Sequence, residues 1–407
     1  MPSTRYGRPH WLDLAKEPGK PAWPVLRGEA SCQVAVIGGG LAGCTAAWAF
    51  ANSGVSTALL EAELIGRGAT AGASGLGDAG VGSSFLALRE QHGLRAARQM
   101  WDAERLACLE MQAMIRRLRI RCRHAPVSIN VVAMTDDEAT GLEREHRELT
   151  DAGFEATWLA GKRATEATGL GACAVLKRTG AFVADPLALA MGFARAASRN
   201  KARIYERSAV RHVEAGTKGV DVRTDAGVLH AETVVVATDL PQPGMKALHR
   251  HVRPCMTAGA VVPSLSRPLQ RSLGPAGDRV FCGVARPQRG WHLDAAGTLL
   301  LWQSDQPFPA VRGAEVAVQR ASQLMYEFSL LHPEVSGLQP SLGWATPAHR
   351  SGDGLAIAGP HRAFPRHLFA VGLGAEGLQG AWLAAQINLR YYRGRSERSD
   401  LLMGFLR

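Results

Sequence analysis

Two short apolar runs near the start of the patterned region have the character of strands that are buried on both faces. Val34–Ile37 is entirely apolar, and Ser56–Leu60 ends in a second apolar run before Glu61. Such runs are typical of parallel strands that helices cover on both sides. Leu41–Ser53, between them, carries small and apolar residues at helical spacing. The pattern therefore predicts strand, helix and strand in succession, which is the beginning of an α/β fold.

Further helices and strands are predicted in the middle and in the C-terminal part of the chain. A helix is predicted from Asp185 to about Ser198, and a final buried strand at Leu368–Val371 runs through a glycine-rich turn into a helix that begins near Glu376–Gln379. Between these parts, alternating and buried strands are predicted at Ala202–Glu206, Val210–Glu214, Gly219–Thr224, Val228–His230 and Val234–Ala237.

Length and composition narrow the class of protein. The chain has 407 residues, 46% of them hydrophobic, which suffices for a large core or for two domains. No apolar run is long enough to span a membrane. Residues 1–30 lack the apolar centre of a secretory signal, and we expect an extended arm over the surface. The seven cysteines are scattered and never spaced as CxxC, which argues against a disulfide framework or a metal site and favours the cytoplasm.

The charge of the chain is strongly basic, with a formal net charge of +11 that arises mainly from arginine. A basic balance can serve polyanion binding, but no compact basic run stands out, so nucleic acid is not expected as a partner. The densest group is predicted to spread over a solvated face, with a phosphate-binding patch as the alternative; it comprises Arg116, Arg117, Arg119, Arg121 and Arg123.

The loop after the first predicted strand carries the clearest chemistry. Gly38, Gly40 and Gly43 form GxGxxG, in which the glycines permit a tight turn, close approach of a pyrophosphate and close packing of the helix on the strand. Glu61 ends the second strand, where a carboxylate binds ribose hydroxyls and repels a 2′-phosphate. The combination indicates FAD or NAD rather than NADP.

Five segments together resemble the D-amino-acid-oxidase-type family of FAD-dependent oxidoreductases, which includes glycine, sarcosine and γ-glutamylputrescine oxidases. These segments are VAVIGGGLAG…LLEAE, GATAGASG, GAFVADPLALAMGFARAA, AETVVVATD and SGDGLAIAG…LFAVGLGAEGL, and they span about residues 30 to 385. The resemblance implies an α/β fold in which a Rossmann-type FAD-binding domain (residues 31–95, 171–250 and 346–407) is interleaved with an α+β substrate domain (residues 96–170 and 251–345) that contains a large mixed or antiparallel sheet.

The resemblance also implies which residues contact the cofactor. The FAD is expected to be non-covalent, because GWATPAHRSGDG lacks the cysteine that links the flavin in sarcosine-oxidase relatives. The implied contacts are Gly38, Gly40, Leu41, Ala42, Gly43, Glu61, Ala62, Gly68, Ala69, Thr70, Ala73, Ser74, Gly75, Val210, Ala237, Thr238, Gly372, Gly374, Ala375, Glu376, Gly377 and Leu378.

The implied reaction is hydride transfer from a C–H bond beside the nitrogen of a small amine or amino acid, followed by imine hydrolysis. The positive end of the helix near Glu376–Gln379 would stabilise the reduced ring. Glu376 suits a cationic amine, Arg350 is a candidate for holding a carboxylate, His349 for moving a proton, and Trp344 for forming a substrate wall. For the last three, a surface arginine, a hydrogen-bonded loop histidine and a packing tryptophan are the structural alternatives.

Several questions stay open at the level of sequence. Residues 251–407 contain no lysine, although several relatives use one beside the flavin to activate oxygen, so the acceptor is either O2 or another redox carrier. One alternative function is a flavin-holding subunit or an inactive member. Another is FAD-dependent oxidation of a modified tRNA base, because GLGAEGL and GASG also resemble the FAD domain of an enzyme that trims a wobble-uridine substituent. Simple NAD binding would leave GATAGASG and the C-terminal turn without a role.

Overall fold

A computed structural model describes residues 4–15, 22–80, 82–239, 245–274, 279–284, 289–307, 314–374 and 377–407. The strands are β1 (Arg5–Tyr6), β2 (Gly28–Ile37), β3 (Thr57–Leu60), β4 (Leu76–Gly77), β5 (Ala125–Ala133), β6 (Thr157–Ala160), β7 (Ala174–Val183), β8 (Arg203–Tyr205), β9 (Val210–Ala215), β10 (Val220–Thr224), β11 (Gly227–Val236), β12 (Val252–Val262), β13 (Arg279–Gly283), β14 (Arg289–Leu293), β15 (Leu299–Gln306), β16 (Leu342–Ser351), β17 (Ile357–His361) and β18 (Phe364–Val371). The α-helices are α1 (His10–Leu14), α2 (Leu41–Asn52), α3 (Ala69–Gly72), α4 (Phe85–His92), α5 (Leu94–Leu118), α6 (Asp136–Asp151), α7 (Lys162–Thr168), α8 (Pro186–Arg199), α9 (Arg267–Ser272), α10 (Ala314–Leu331) and α11 (Leu378–Tyr392). Short 3-10 helices lie at Lys246–Leu248, Pro333–Val335 and Arg398–Met403.

The smaller of two sheets has eight strands and a parallel centre. Its order is β17-β18-β11-β2-β3-β8, with β10 paired to β11 and β9 paired to β10. The neighbours from β18 to β8 run parallel, as the apolar runs predict. Helices α2, α8 and α11 pack together, where the ring of Trp48 lies 5.5 Å from that of Trp382 and 5.9 Å from that of Phe193. The predicted α/β fold with a Rossmann-type unit is confirmed.

One strand of this sheet is longer than predicted. The sequence predicts two separate strands at Val228–His230 and Val234–Ala237, whereas β11 runs unbroken over Gly227–Val236. Its partner β2 explains the difference, because the two strands pair from Gly227 opposite Gly28 to Val236 opposite Ile37. The polar residues in the middle of β11 are therefore held by the neighbouring backbone, which the alternation of side chains alone does not reveal.

The larger sheet has ten strands and a mixed character. Its order is β1-β16-β12-β15-β14-β13-β5-β7-β4, with β6 also paired to β7. Neighbouring strands are antiparallel except β1 with β16 and β13 with β5, which are parallel. Helix α10 packs on β16 and β12. The predicted mixed or antiparallel sheet is thus confirmed. Strand β7 joins this sheet, although the predicted boundaries place residues 171–250 in the FAD-binding part.

The N-terminal segment differs from the predicted extended surface arm in its described part. Strand β1 pairs with β16, and α1 buries His10 and Trp11. The indole Nε1 of Trp11 donates a hydrogen bond to the Ala73 carbonyl at 2.7 Å. A five-residue helix has no detectable period, so only its packing partner could have revealed it.

The surface agrees with the expected spread of arginines. The side chains of Arg116, Arg117, Arg119, Arg121 and Arg123 are all exposed. None of the helices in the described ranges has the length and apolar content needed for a transmembrane segment.

Candidate functional site

A cavity of about 870 Å³ lies at the carboxyl ends of the parallel strands of the smaller sheet. Ligands of doubly wound folds bind at this edge, and the volume is in the range of small-molecule sites. Most of the predicted cofactor contacts line it: Gly38, Gly40, Leu41, Ala42, Glu61, Ala62, Gly68, Ala69, Thr70, Ala73, Val210, Ala237, Thr238, Gly374, Gly377 and Leu378. Sequence reasoning missed Ile37, Leu60, Glu63, Arg67, Pro186, Ala209, Arg211, Asp239, Thr346, Pro347, Ala370, Leu373 and Ala381.

Four predicted contacts lie behind this lining, and two fall outside the described residues. Gly75 faces the Trp11 ring, which an added Cβ would approach to 2.9 Å, and Gly372 packs on Ser351. Ser74 accepts a hydrogen bond from the backbone of Leu76. Gly43 is the fourth residue of this group. Ala375 and Glu376 lie outside the described residues.

The glycine turn between β2 and α2 is shaped by close backbone contacts. Gly38 has a φ of 102°, where a Cβ would lie 2.8 Å from the Ala237 carbonyl oxygen. At Gly43, a Cβ would lie 1.8 Å from the carbonyl oxygen of Gly38, so the helix can pack on the turn only without a side chain there. Gly40 is the N-cap of α2 and supplies no capping side chain. The first turn of α2 therefore offers backbone N–H groups and a positive dipole end to an anion.

Glu61 is held in place at the end of β3. Its Oε2 accepts a hydrogen bond from the Gly39 N–H at 2.6 Å, and its Oε1 accepts one from the Glu63 N–H at 2.8 Å. Burial raises the pKa of Glu61, and the two backbone hydrogen bonds oppose this rise. A carboxylate fixed at this position can accept hydrogen bonds from ribose hydroxyls and would repel an additional phosphate.

The small-residue segment after Glu61 forms a second wall. Helix α3 packs against β16, and the Thr70 hydroxyl accepts a hydrogen bond from the Leu41 N–H at 3.0 Å. A Cβ on Gly72 would lie 2.3 Å from the Thr346 hydroxyl, so α3 and β16 pack together without space for a larger residue. The small side chains of GATAGASG thus allow close packing against β16 and also leave space for the cavity.

Buried polar groups hold the start of α11 against β4. The Nε2 of Gln379 donates to the Asp78 carbonyl and to Glu104 Oε2, both at 2.8 Å. Glu104 is 2% exposed, and burial raises its pKa from 4.5 to about 7, against the opposing effect of the hydrogen bond from Gln379. Gly377 caps the helix with a φ of 84° and lines the cavity. This network fixes the N-terminus of α11 beside the cavity.

A second titratable contact joins the two sheets at the cavity wall. Asp239 follows β11 and lines the cavity, and His349 lies on β16. His349 Nδ1 donates a hydrogen bond to Asp239 Oδ2 at 3.3 Å. His349 is a candidate from its sequence context, whereas Asp239 is not, because its only signal is that it is an acid directly after a buried strand.

The remaining candidates for catalysis occupy structural positions. Trp344 is 1% exposed, and its Nε1 donates to the Gly72 carbonyl at 3.2 Å. Arg350 is buried, and its Nη2 donates to the Gly82 carbonyl. Neither residue is among those that line the cavity, so the packing alternative explains the position of Trp344. Arg350 is 6% exposed, so it is not the surface arginine that its structural alternative describes. Their catalytic roles stay predictions.

These groups together fit a dinucleotide whose ribose carries no 2′-phosphate. The N–H groups at the start of α2 suit the pyrophosphate, and Glu61 suits the ribose. Ala69 and Ala73, from the small-residue segment, and Thr346 and Pro347, from β16 of the larger sheet, line the same cavity without bulky side chains. The N-terminus of α11 places partial positive charge at the far end, where charge that develops during a reaction would be stabilised.

Comparison with known proteins gives one family and several relatives. The family described as DAO, FAD dependent oxidoreductase, matches residues 33–388. Gamma-glutamylputrescine oxidoreductase of Escherichia coli (strain K12) is 30% identical over 257 residues, which are 60% of this chain and 58% of the relative. Probable oxidoreductase OrdL of Rhizobium meliloti (strain 1021) is 27% identical over 237 residues, or 56% and 53%. The matched segments thus span little more than half of each relative.

Solved structures show the same fold over nearly the whole chain. Glycine oxidase from Geobacillus kaustophilus superposes with a TM-score of 0.76 at 20% identity, covering 93% of this chain and 99% of that one. L-proline dehydrogenase from P. horikoshii superposes with a TM-score of 0.73 at 15% identity, covering 92% and 96%. At such identities, the likeness establishes the fold alone.

Proposed function

Because this chain belongs to the DAO family of FAD-dependent oxidoreductases, we propose that it oxidises the C–N bond of a small amine or amino acid. FAD is its cofactor. The observation that carries the proposal is the cavity that joins the GxGxxG turn, Glu61 and the start of α11. The relatives named for γ-glutamylputrescine, glycine and L-proline support a substrate of this class.

When bound, FAD would supply the acceptor for a hydride from the C–H bond beside the substrate nitrogen, and the imine would be hydrolysed afterwards. The chain supplies position and charge. The start of α2 and Glu61 anchor the cofactor, Thr346 and Pro347 close the cavity from the larger sheet, and the N-terminus of α11 favours negative charge beside it. We propose non-covalent binding, since no cysteine is among the residues that line the cavity.

We also propose that the predicted segments divide into an FAD-binding part and a substrate-binding part. The predicted FAD-binding segments contribute the glycine turn and α11, and the predicted substrate segments contribute most of the larger sheet. O2 or another redox carrier accepts the electrons. The lack of lysine in residues 251–407 supports a carrier other than O2. The rate at which air reoxidises the reduced protein distinguishes the two acceptors.

Glu376, as predicted from sequence, suits a cationic amine. We expect Glu376→Gln to raise the KM for the amine while leaving the FAD content of the purified protein unchanged. Unchanged kinetics would remove Glu376 from the proposed substrate contacts.

The deciding experiment is an absorbance spectrum of the purified protein before and after anaerobic addition of pooled amines and pooled amino acids. We expect a flavin spectrum that acid denaturation releases and that one pool bleaches. Flavin that no pool bleaches would contradict the proposed reaction and favour a flavin-holding subunit. Salt-sensitive retention of tRNA would then separate that possibility from oxidation of a tRNA base.

A further inference from the structure

The Asp239–His349 pair stands where the two sheets meet at the cavity. The side chain of His349 is 9% exposed and that of Asp239 is 24% exposed, so both are shielded from bulk water. Asp239 lines the cavity directly, and the carbonyl of His349 accepts a hydrogen bond from the N–H of Gly374 at 2.9 Å. Gly374 also lines the cavity, in the turn that leads to α11. Asp239 and Gly374 are thus part of the cavity wall, and His349 lies directly behind them, bonded to the Asp239 carboxyl group and to the Gly374 N–H.

In the part of the chain that the structure describes, the strands next to the pair carry few other charged groups. Within the described residues, the titratable or charged neighbours on the adjacent strands are Arg350 on β16, and Arg253 and Cys255 on β12. Arg350 turns to the Gly82 carbonyl, and Arg253 is exposed. Burial raises the pKa of Asp239, and hydrogen bonds from the side chain and backbone of His349 oppose this rise. His349 is thus the main electrostatic partner of Asp239.

The proposed reaction releases a proton that needs an acceptor. Oxidation of an amine to an imine removes two electrons and two protons from the substrate. Hydride transfer moves both electrons and one proton away from the substrate carbon, while the lone pair of the nitrogen forms the C=N bond. The N–H bond then breaks, and its electron pair returns to the nitrogen. The second proton must pass to a base. In addition, the transferred hydride leaves one negative charge in the cavity, where the protein screens that charge less than bulk water would.

We propose that His349, held by Asp239, takes up this second proton and so compensates the negative charge that reduction adds to the cavity. The inference rests on the proposed function. Nδ1 of the imidazole donates to Asp239, so Nε2 is the atom that receives the proton. The pair passes from a carboxylate beside a neutral imidazole to a carboxylate beside an imidazolium. Asp239 is a positioning residue that also stabilises the imidazolium, as a carboxylate does in other histidine pairs.

The chain offers a matched control for this pair. His230 Nδ1 lies 2.8 Å from Asp221 Oδ1, so the same two groups form the same contact on β11 and β10. Their side chains are 44% and 37% exposed, and neither residue lines the cavity. His230→Asn therefore removes a histidine from an aspartate without altering the cavity.

The test measures the reduction potential of the FAD-loaded protein by photoreduction against a reference dye, without substrate, from about pH 6 to about pH 9. If His349 takes up one proton for every two electrons, the wild-type potential falls by about 30 mV per pH unit more than that of His349→Asn, because a tenfold change corresponds to about 30 mV for a two-electron couple. His230→Asn should follow the wild type. Asp239→Asn should lose part of the additional slope, since the imidazolium is then less stabilised. Equal slopes in wild type and His349→Asn would overturn the proposal.

A second measurement covers a variant that fails to fold or to retain FAD. The imidazole nitrogen resonances of His349 in the wild-type holoprotein are recorded before and after reduction by dithionite. We expect that, at one fixed pH, the resonances change from those of a neutral imidazole in the oxidised protein to those of an imidazolium in the reduced protein. Unchanged resonances would contradict the proposal. Neither measurement uses an amine. Failure of every amine to bleach the flavin therefore contradicts the proposed function, whereas an unaltered potential slope contradicts only the role of His349.

Discussion

Replacing Glu104 by glutamine should stabilise the protein at neutral and alkaline pH. Glu104 lies on α5, is 2% exposed and accepts a hydrogen bond from Gln379. A glutamine has the same shape, and its carbonyl oxygen can accept the same bond. The substitution therefore removes the cost of burying a negative charge while keeping the contact that holds the start of α11.

The magnitude follows from the pKa of Glu104, which burial raises from 4.5 to about 7. Between these values the folded protein binds more protons at this group than the unfolded chain does, so the free energy of unfolding falls as the pH rises. The stabilising contribution is complete below about pH 4.5 and is lost as the pH passes through about 7. Each pH unit of the interval corresponds to about 1.4 kcal/mol, so the total is about 3 kcal/mol.

Urea unfolding of the FAD-loaded wild type and Glu104→Gln at a series of pH values checks this reasoning. We expect the variant to gain stability relative to the wild type up to about pH 7, and the difference to be constant above it. Asp102→Asn is the matched control, because Asp102 lies on the same helix with its side chain 53% exposed. Curves for wild type and Glu104→Gln that stay parallel across the whole range would refute the buried-charge explanation.

Three further predictions concern the cofactor turn and the N-terminal helix. Gly43→Ala should abolish FAD binding, because its Cβ would lie 1.8 Å from the Gly38 carbonyl oxygen, whereas Gly141→Ala, where nothing lies within 4 Å, should retain it; the flavin absorbance of the purified variants decides. Trp11→Ala should lower the free energy of unfolding by about 3 kcal/mol or more and speed FAD release; wild-type release rates would contradict the link through Ala73. Burial lowers the pKa of His10 from 6.5 to about 4. The neutral imidazole therefore contributes to the free energy of unfolding above about pH 6.5, and this contribution is lost as the pH falls through about 4. His10→Gln should flatten this part of a plot of the free energy of unfolding against pH.

The central part of the fold was predictable because local signals and long-range pairing agree there. The apolar runs at β2 and β3, the helix between them and Glu61 each carry their own signal, and most of the predicted cofactor contacts line the cavity. Asp185 similarly predicts the start of α8, where its side chain accepts a hydrogen bond from the Ala188 N–H at 2.9 Å. In these segments, the residue types required by the local conformation are also those required by the site.

The parts that sequence reasoning missed depend on partners distant in the chain. The position of Asp239 at the site is recognisable only from its contact with His349, which is 110 residues away in the chain. The position of Thr346 is likewise recognisable only from the close approach of Gly72. Trp11 belongs to a helix too short to show a period, and its indole is bonded to the carbonyl of Ala73, which lies far away in the chain. Gly75 belongs to the GATAGASG segment, which is predicted to contact the cofactor, but it faces the Trp11 ring instead of the cavity. Register and side-chain direction settle such cases, and neither is encoded in a local pattern.

The pairing of the sheet strands has a consequence for synthesis on the ribosome. Strand β1 pairs with β16, and β2 pairs with β11, which in turn pairs with β18. When Arg5 and Gly28 leave the ribosome, their partners Leu342 and Gly227 have not yet been made, so β1 and one edge of β2 stay unpaired until much later in synthesis. Folding is therefore expected to be slow, and a chain arrested before β16 should depend on chaperones to stay out of aggregates.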